Sequence, residues 1–246
     1  MPLYIGVDGA SDGWMAVLYD GDGYHGSKLY TDEEGGLESL WKEHGDEAEH
    51  VLVDVPIGLR EDSAEPRPCD DEARDALGHP RSSSVFAVPV RDAVYEDSYE
   101  KGKRIQENRT DGSIGAQTWN ITDNIEELDT FLLETAPEAQ DCVREAHPEV
   151  CFWALNDEES MNYSKTGQPA AAFWERVDVL EKVDEKVLDD IRDVGTDVDA
   201  DVGNDDIVDA FALALTASPL TGELQWLGGE EDPEELPMEM VYASSP

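Results

Sequence analysis

Residues 3–30 read LYIGVDGASDGWMAVLYDGDGYHGSKLY, and this stretch decides the fold. Leu3 to Val7 is an apolar run, and Gly13 to Leu18 follows a Gly-rich turn. Tyr24 to Tyr30 follows Asp20-Gly-Asp-Gly23, a strong hairpin signal. Three short meandering strands are expected. Residues 32–48 then predict a helix, with Leu37, Leu40 and Trp41 on one face and Gly45 near the end. Val51 to Val55 is short and nearly all apolar, the pattern of a strand buried on both faces.

Residues 60–90 hold four prolines and no sustained period, which predicts an irregular insertion. Helices are expected over 92–108 and 119–135, and a strand over Cys142 to Ala146. Pro148 suits the first position of a helix running to about Leu155. Polar helices near 169–182 and 184–193 precede a helix at 205–217 that is apolar almost all round, through Ile207, Val208, Phe211 and Leu213. Residues 218–246 are rich in Pro and Glu, with a terminal strand at Met238 to Tyr242. This order predicts an α/β fold with a mixed five-stranded sheet flanked by helices. One domain would span residues 1–217, with an insertion at about 60–135 between strands 4 and 5. The extension at 218–246 would pack on it or stay flexible.

The chain carries 59 acidic against 17 basic residues, a formal charge of −42. The acids are spread along the sequence, and six Trp, eight Tyr and clear apolar runs argue for a folded chain rather than a disordered one. At molar salt the Debye length is about 3 Å, so the self-repulsion of such a body is largely screened. The bias reads as adaptation to a salt-rich cytoplasm, as in extreme halophiles. Cys69, Cys142 and Cys151 are too few and too scattered for a disulfide framework. No apolar run approaches the ~20 residues that cross a membrane, and the start lacks signal-peptide character, so a cytoplasmic protein is expected.

Two strands carry one acid each: Asp8 in Gly6-Val-Asp-Gly-Ala10 and Asp54 in Leu52-Val-Asp-Val-Pro56. An acid in an apolar strand is costly to bury unless something positive meets it. Two such acids on neighbouring strands suggest a shared cation, since otherwise one must stay protonated. Asp206 and Asp209, three apart, share a face of the late apolar helix. Asn204 as a cap and the helix dipole account for Asp205 and partly for Asp206, but poorly for Asp209. Glu145-Ala-His147-Pro-Glu149 lies where the fifth strand meets its helix. There Glu145 and Glu149 are candidate metal ligands or general bases, and His147 a proton shuttle or phosphate contact, with dipole complement and a structural histidine as the alternatives.

Residues 60–109 hold nine of the 17 basic residues against twelve acids. Arg67, Arg74 and Arg81, with Ser84, are candidates for binding phosphate oxygens, because Arg forks match them. Pairing with nearby Asp70, Asp71 and Asp75 is the alternative. No P-loop, nucleotide-type glycine motif or zinc signature occurs.

The motifs Ile5-Gly-Val-Asp-Gly9 with Gly13-Trp14, the strand-4 acid, and Asp206-x-x-Asp-Ala210 together resemble the ribonuclease H superfamily, its Holliday-junction resolvases especially. Asp54 departs from the Glu usual there. The closer resemblance is to the DUF429 group, a predicted ribonuclease-H-fold nuclease family, over roughly residues 3–217. It is carried by Asp54-Val-Pro-Ile-Gly58, Arg67-Pro-Cys-Asp70, Ala73-Arg74, Ser84-Val-Phe86, Glu145-Ala-His-Pro-Glu149 and Asp205-Asp-x-x-Asp-Ala210. The resemblance implies two Mg²⁺ or Mn²⁺ ions on Asp8, Asp54, Asp206 and Asp209 and cleavage of phosphodiesters, nucleic acid included. The alternatives are a non-catalytic binding or scaffold protein on the same fold, or a hydrolase of small phosphorylated molecules. The charge of −42 disfavours a polyanionic partner.

Overall fold

The computed structural model describes residues 1–63, 65–198 and 202–245. The chain runs β1 (Leu3–Ala10), β2 (Gly13–Asp20), β3 (Gly23–Thr31), α1 (Gly36–His44), β4 (Ala48–Val53) and α2 (Pro68–Leu77). Next come α3 (Arg91–Val94), α4 (Tyr99–Arg109), α5 (Ala116–Trp119), α6 (Thr122–Thr130), β5 (Val143–Glu145) and α7 (Pro148–Leu155). The chain closes with α8 (Pro169–Leu180), α9 (Val187–Asp197), α10 (Asn204–Ala217), β6 (Gln225–Glu231) and β7 (Pro237–Tyr242). It divides into two compact units: Met1–Asp54 with Asp141–Gln225 and Val241–Pro246, and Val55–Gln140 with Trp226–Met240.

The first unit is an α/β layer structure built on a mixed five-stranded sheet ordered β3-β2-β1-β4-β5. β1, β2 and β3 pair antiparallel, whereas β4 runs parallel to β1 and β5 parallel to β4. The β2–β3 hairpin closes through Asp20, whose carboxylate accepts the Asp22 N–H at 2.7 Å, with Gly23 at φ +125°. Met15, Val17 and Tyr19 alternate along β2 and share one core with Phe152 of α7, Val177 and Leu180 of α8, Ile191 of α9 and Phe211 of α10. α10 is buried from Ile207 to Ala217, consistent with a helix apolar all round. α1 packs on β2 and β3.

Several boundaries differ from the sequence expectation. The helix expected over 32–48 is a 3-10 turn, Asp32–Glu34, followed by α1, because Gly35 and Gly36 both take positive φ between them. The stretch read as irregular contains α2: Pro68 opens it, Asp70 and Asp71 occupy its first turn, and Cys69, Ala73 and Leu77 line its buried face. The helix expected over 92–108 is two, since the chain leaves helical geometry and restarts from Ser98 in extended conformation. The segment 119–135 likewise divides into α5, α6 and a π-helical turn, Phe131–Thr135.

A partly buried arginine, Arg91, ties elements of the second unit together. Arg91 donates to Asp129 at 3.0 Å and to Asp232 at 2.6 Å, and Tyr95 donates to Asp129 at 2.8 Å. Asp232 also accepts the backbone N–H groups of Leu59 and Leu236. In the C-terminal extension β6 and β7 form a two-stranded sheet. β6 escapes sequence recognition because it is largely exposed and interrupted by Gly228 and Gly229. Among the described residues, no helix is long and apolar enough to cross a membrane.

Candidate functional site

Parallel register sets Val7 beside Val53, and Val53 beside Glu145, so β1, β4 and β5 come level at that point. Asp8 follows Val7 and Asp54 follows Val53, and the Asp54 N–H donates to the Val7 carbonyl at 3.0 Å. The carboxyl ends of parallel strands are where open α/β sheets present ligand crevices. Along β1, Gly6 and Asp8 point to one face, toward α10. A Cβ at Gly6 would lie 2.2 Å from both the Ala210 carbonyl oxygen and the Ala214 nitrogen. Glycine at this position lets α10 lie directly on β1, and so brings Asp209 to Asp8.

The electrostatics show that these acids act on one another. Asp8 is 7% exposed and Asp209 5%. Burial, reinforced by the charges of Asp54 and Asp209, holds the Asp8 carboxyl well above the usual carboxylate range. Burial also raises Asp54, against the pull of His147 and Lys165 and a hydrogen bond with Asp8. Asp209 is pushed up to about 6 by burial, with Lys165 opposing. Lys165 donates to Asp209 Oδ2, and Arg176 donates to Glu149 Oε1. Burial works against the Lys165 ammonium, but Asp209, Glu149 and Asp8 outweigh it and keep it charged.

Counted together, Asp8, Asp54, Asp206, Asp209 and Glu149 face two cations, Lys165 and Arg176, a surplus of three carboxylates. Two buried oxygens, Asp209 Oδ1 and Glu149 Oε2, have no hydrogen-bond partner. Orphaned buried acceptors among hard oxygen donors fit a divalent cation such as Mg²⁺ or Mn²⁺. Among the described residues, no three of these five carboxylates bring one ligand atom each within 4.8 Å of one another. The donors are of the right chemistry, and the Lys165 ammonium, bonded to Asp209, acts through its charge on Asp8, Asp54, Asp206 and Glu149.

The structure thus brings Asp8, Asp54 and Asp209 together and adds Glu149 beside them. Asp206 stands at the margin, half-buried, with one oxygen accepting the Gly203 N–H at 3.0 Å. The N-cap of α10 is Gly203 rather than Asn204. His147 caps α7, its Nδ1 accepting the Glu149 N–H at 3.1 Å, which leaves Nε2 to carry the proton. Glu145 is not brought to the group. Ala146 packs with Leu52 and Leu213 beneath α10, so strand alternation turns the buried Glu145 to the opposite face.

The arginines of the insertion lie in the second unit. Arg67 is buried, donating to both Asp70 oxygens and to the Ile57 carbonyl. Arg74 pairs with Asp71 at 3.1 Å and also donates to the Val85 carbonyl. Arg81 opens a short 3-10 turn in which the Ser84 hydroxyl donates to the Arg81 carbonyl. Arg67 and Arg74 thus satisfy neighbouring carboxylates.

Lys165 and Arg176 escaped sequence reading. Lys165 sits in the turn-rich Asn162-Tyr-Ser-Lys-Thr-Gly-Gln168, and its one signal is scarcity, as one of seven lysines in so acidic a chain. Arg176 interrupts the Ala172, Val177 and Leu180 face of α8, where a basic residue 2% exposed must have a buried partner.

Fold and site together define an α/β protein that gathers carboxylates where its central strands end against a buried helix. Residues 6–232 match the model of the family described as Protein of unknown function (DUF429), and the chain belongs to that family. No curated protein and no solved structure matches the chain.

Proposed function

We propose that the chain is a ribonuclease-H-like, metal-dependent phosphodiesterase. The observation that carries the reading is the convergence of Asp8, Asp54 and Asp209, with one buried oxygen of Asp209 and one of Glu149 left unpartnered. Support for the fold comes from the sheet order, with three antiparallel strands followed by two parallel ones. Asp8, Asp54 and Asp209 would hold Mg²⁺ or Mn²⁺, flanked by Asp206 and Glu149. The bound ions would supply Lewis-acid activation of water and stabilisation of a leaving oxygen.

The chain's own groups have distinct tasks in this reading. Asp8 and Asp54 keep their positions through the β1–β4 register, while Arg176 holds Glu149 in its buried place. His147, whose charge acts on Asp54, would move a proton. The charge of −42 favours a small or short phosphodiester over a long polyanion. It also supports adaptation to molar salt as the reason for the acidic surface.

The test is hydrolysis of bis(p-nitrophenyl) phosphate and of single-stranded, duplex and branched oligonucleotides, with Mn²⁺ at high KCl. Cleavage by the wild type and its loss in Asp8→Asn and Asp209→Asn support the proposal. No cleavage of any substrate, together with no metal uptake by calorimetry, overturns it. Cleavage of the small diester alone identifies a small-molecule hydrolase.

A further inference from the structure

We infer that Lys165 is a movable counter-ion: its ammonium neutralises Asp209 when the acid cluster holds no divalent cation, and withdraws when one binds, thereby setting the affinity of the site. The inference rests on the reading of the cluster as a cation site.

Three observations carry it. Lys165 Nζ bonds Asp209 Oδ2, and its charge acts on Asp8, Asp54, Asp206 and Glu149 as well, so one amine sits amid five carboxylates. A divalent ion bound to the same carboxylates would be repelled by an ammonium left in place. Among the described residues, no three of these acids bring one ligand atom each within 4.8 Å of one another, as expected if the amine stands between them.

The second observation is the route out. The Lys165 side chain is 30% exposed while that of Asp209 is 7%, so part of the lysine stem meets solvent beside its buried partner. Rotation about the flexible four-carbon stem would take the ammonium to water without moving the backbone.

The third is the anchoring of its loop. Glu175 accepts from the Asn162 backbone, the Asn162 side chain and the Tyr163 backbone at 2.8, 2.8 and 3.0 Å. The turn beyond is closed locally by Ser164, whose hydroxyl contacts Thr166 and accepts the Gly167 N–H. The base of the loop is fixed, and mobility is left to the side chain.

The experiment is titration of Mn²⁺ into chelator-stripped wild type, Lys165→Gln and Lys165→Arg in high KCl, followed by calorimetry, with melting curves in chelator. Lys165→Gln should bind Mn²⁺ roughly tenfold more tightly than wild type, within the usual range of site coupling. Lys165→Arg, which keeps the charge, should bind no more tightly than wild type. In chelator Lys165→Gln should melt lower than wild type, and Mn²⁺ should raise its melting point more. Equal or weaker Mn²⁺ binding by Lys165→Gln, or equal tightening in Lys165→Arg, overturns the inference and leaves the cation site standing. An unchanged melting point of Lys165→Gln in chelator also overturns it. No uptake by wild type or either variant removes the cation site itself.

Discussion

The buried acid cluster should make the protein lose stability as pH rises through the weakly acidic range when no divalent cation is present. Asp209, ordinarily near 3.8, is pushed up to about 6 in the fold by burial. Between those values the folded chain keeps a proton that the unfolded chain has released. Stability then falls with rising pH: the contribution is full below about 4 and is gone above about 6. A displacement of about 2 pH units corresponds to about 3 kcal/mol. Asp8 and Asp54 are displaced in the same direction and act with the same sign. Asp209→Asn cannot titrate, so the difference between wild type and variant isolates the group from the chain's general acidity. Urea unfolding from pH 4 to 7, in chelator and molar KCl, should show wild type losing about 3 kcal/mol relative to Asp209→Asn. Saturating Mn²⁺ should reverse the trend in wild type, because a cation favours the ionised carboxylates. A difference that stays flat or grows with pH in chelator would refute the electrostatic reasoning.

Three further outcomes follow from the packing and the charge. Gly6→Ala places a methyl 2.2 Å from backbone atoms of α10, and should cost about 3 kcal/mol or more in urea unfolding while weakening Mn²⁺ uptake. Arg176→Met leaves Glu149 buried without its cation and should destabilise by about 3–5 kcal/mol; adding Glu149→Gln should recover much of it, measured by the same unfolding curves. With a charge of −42, the melting temperature should climb steadily between about 0.1 and 2 M KCl, and a salt-independent melt would contradict a repulsion-limited surface.

The sequence by itself determined the local grammar of the first unit. The Asp20–Gly23 turn, the apolar runs before and after it and Pro148 each act over a few residues, so β1 to β5 and the helix at Pro148–Leu155 were legible. Asp8, Asp54 and Asp209 stood out for a similar reason, as charges in segments otherwise too apolar to carry them. Tertiary structure decided what depends on register and on partners distant in sequence. Lys165 meets Asp209 across 44 residues and Arg176 meets Glu149 across 27, contacts that no local pattern announces. Glu145 reads as a site acid in sequence, yet the β4–β5 register turns it to the other face of the sheet. Gly6 reads as an ordinary strand glycine, and only the fold reveals that it sets how closely α10 approaches Asp8. The candidate acids come from side chains that local burial makes costly, whereas their cations come from the way the sheet and α10 are packed.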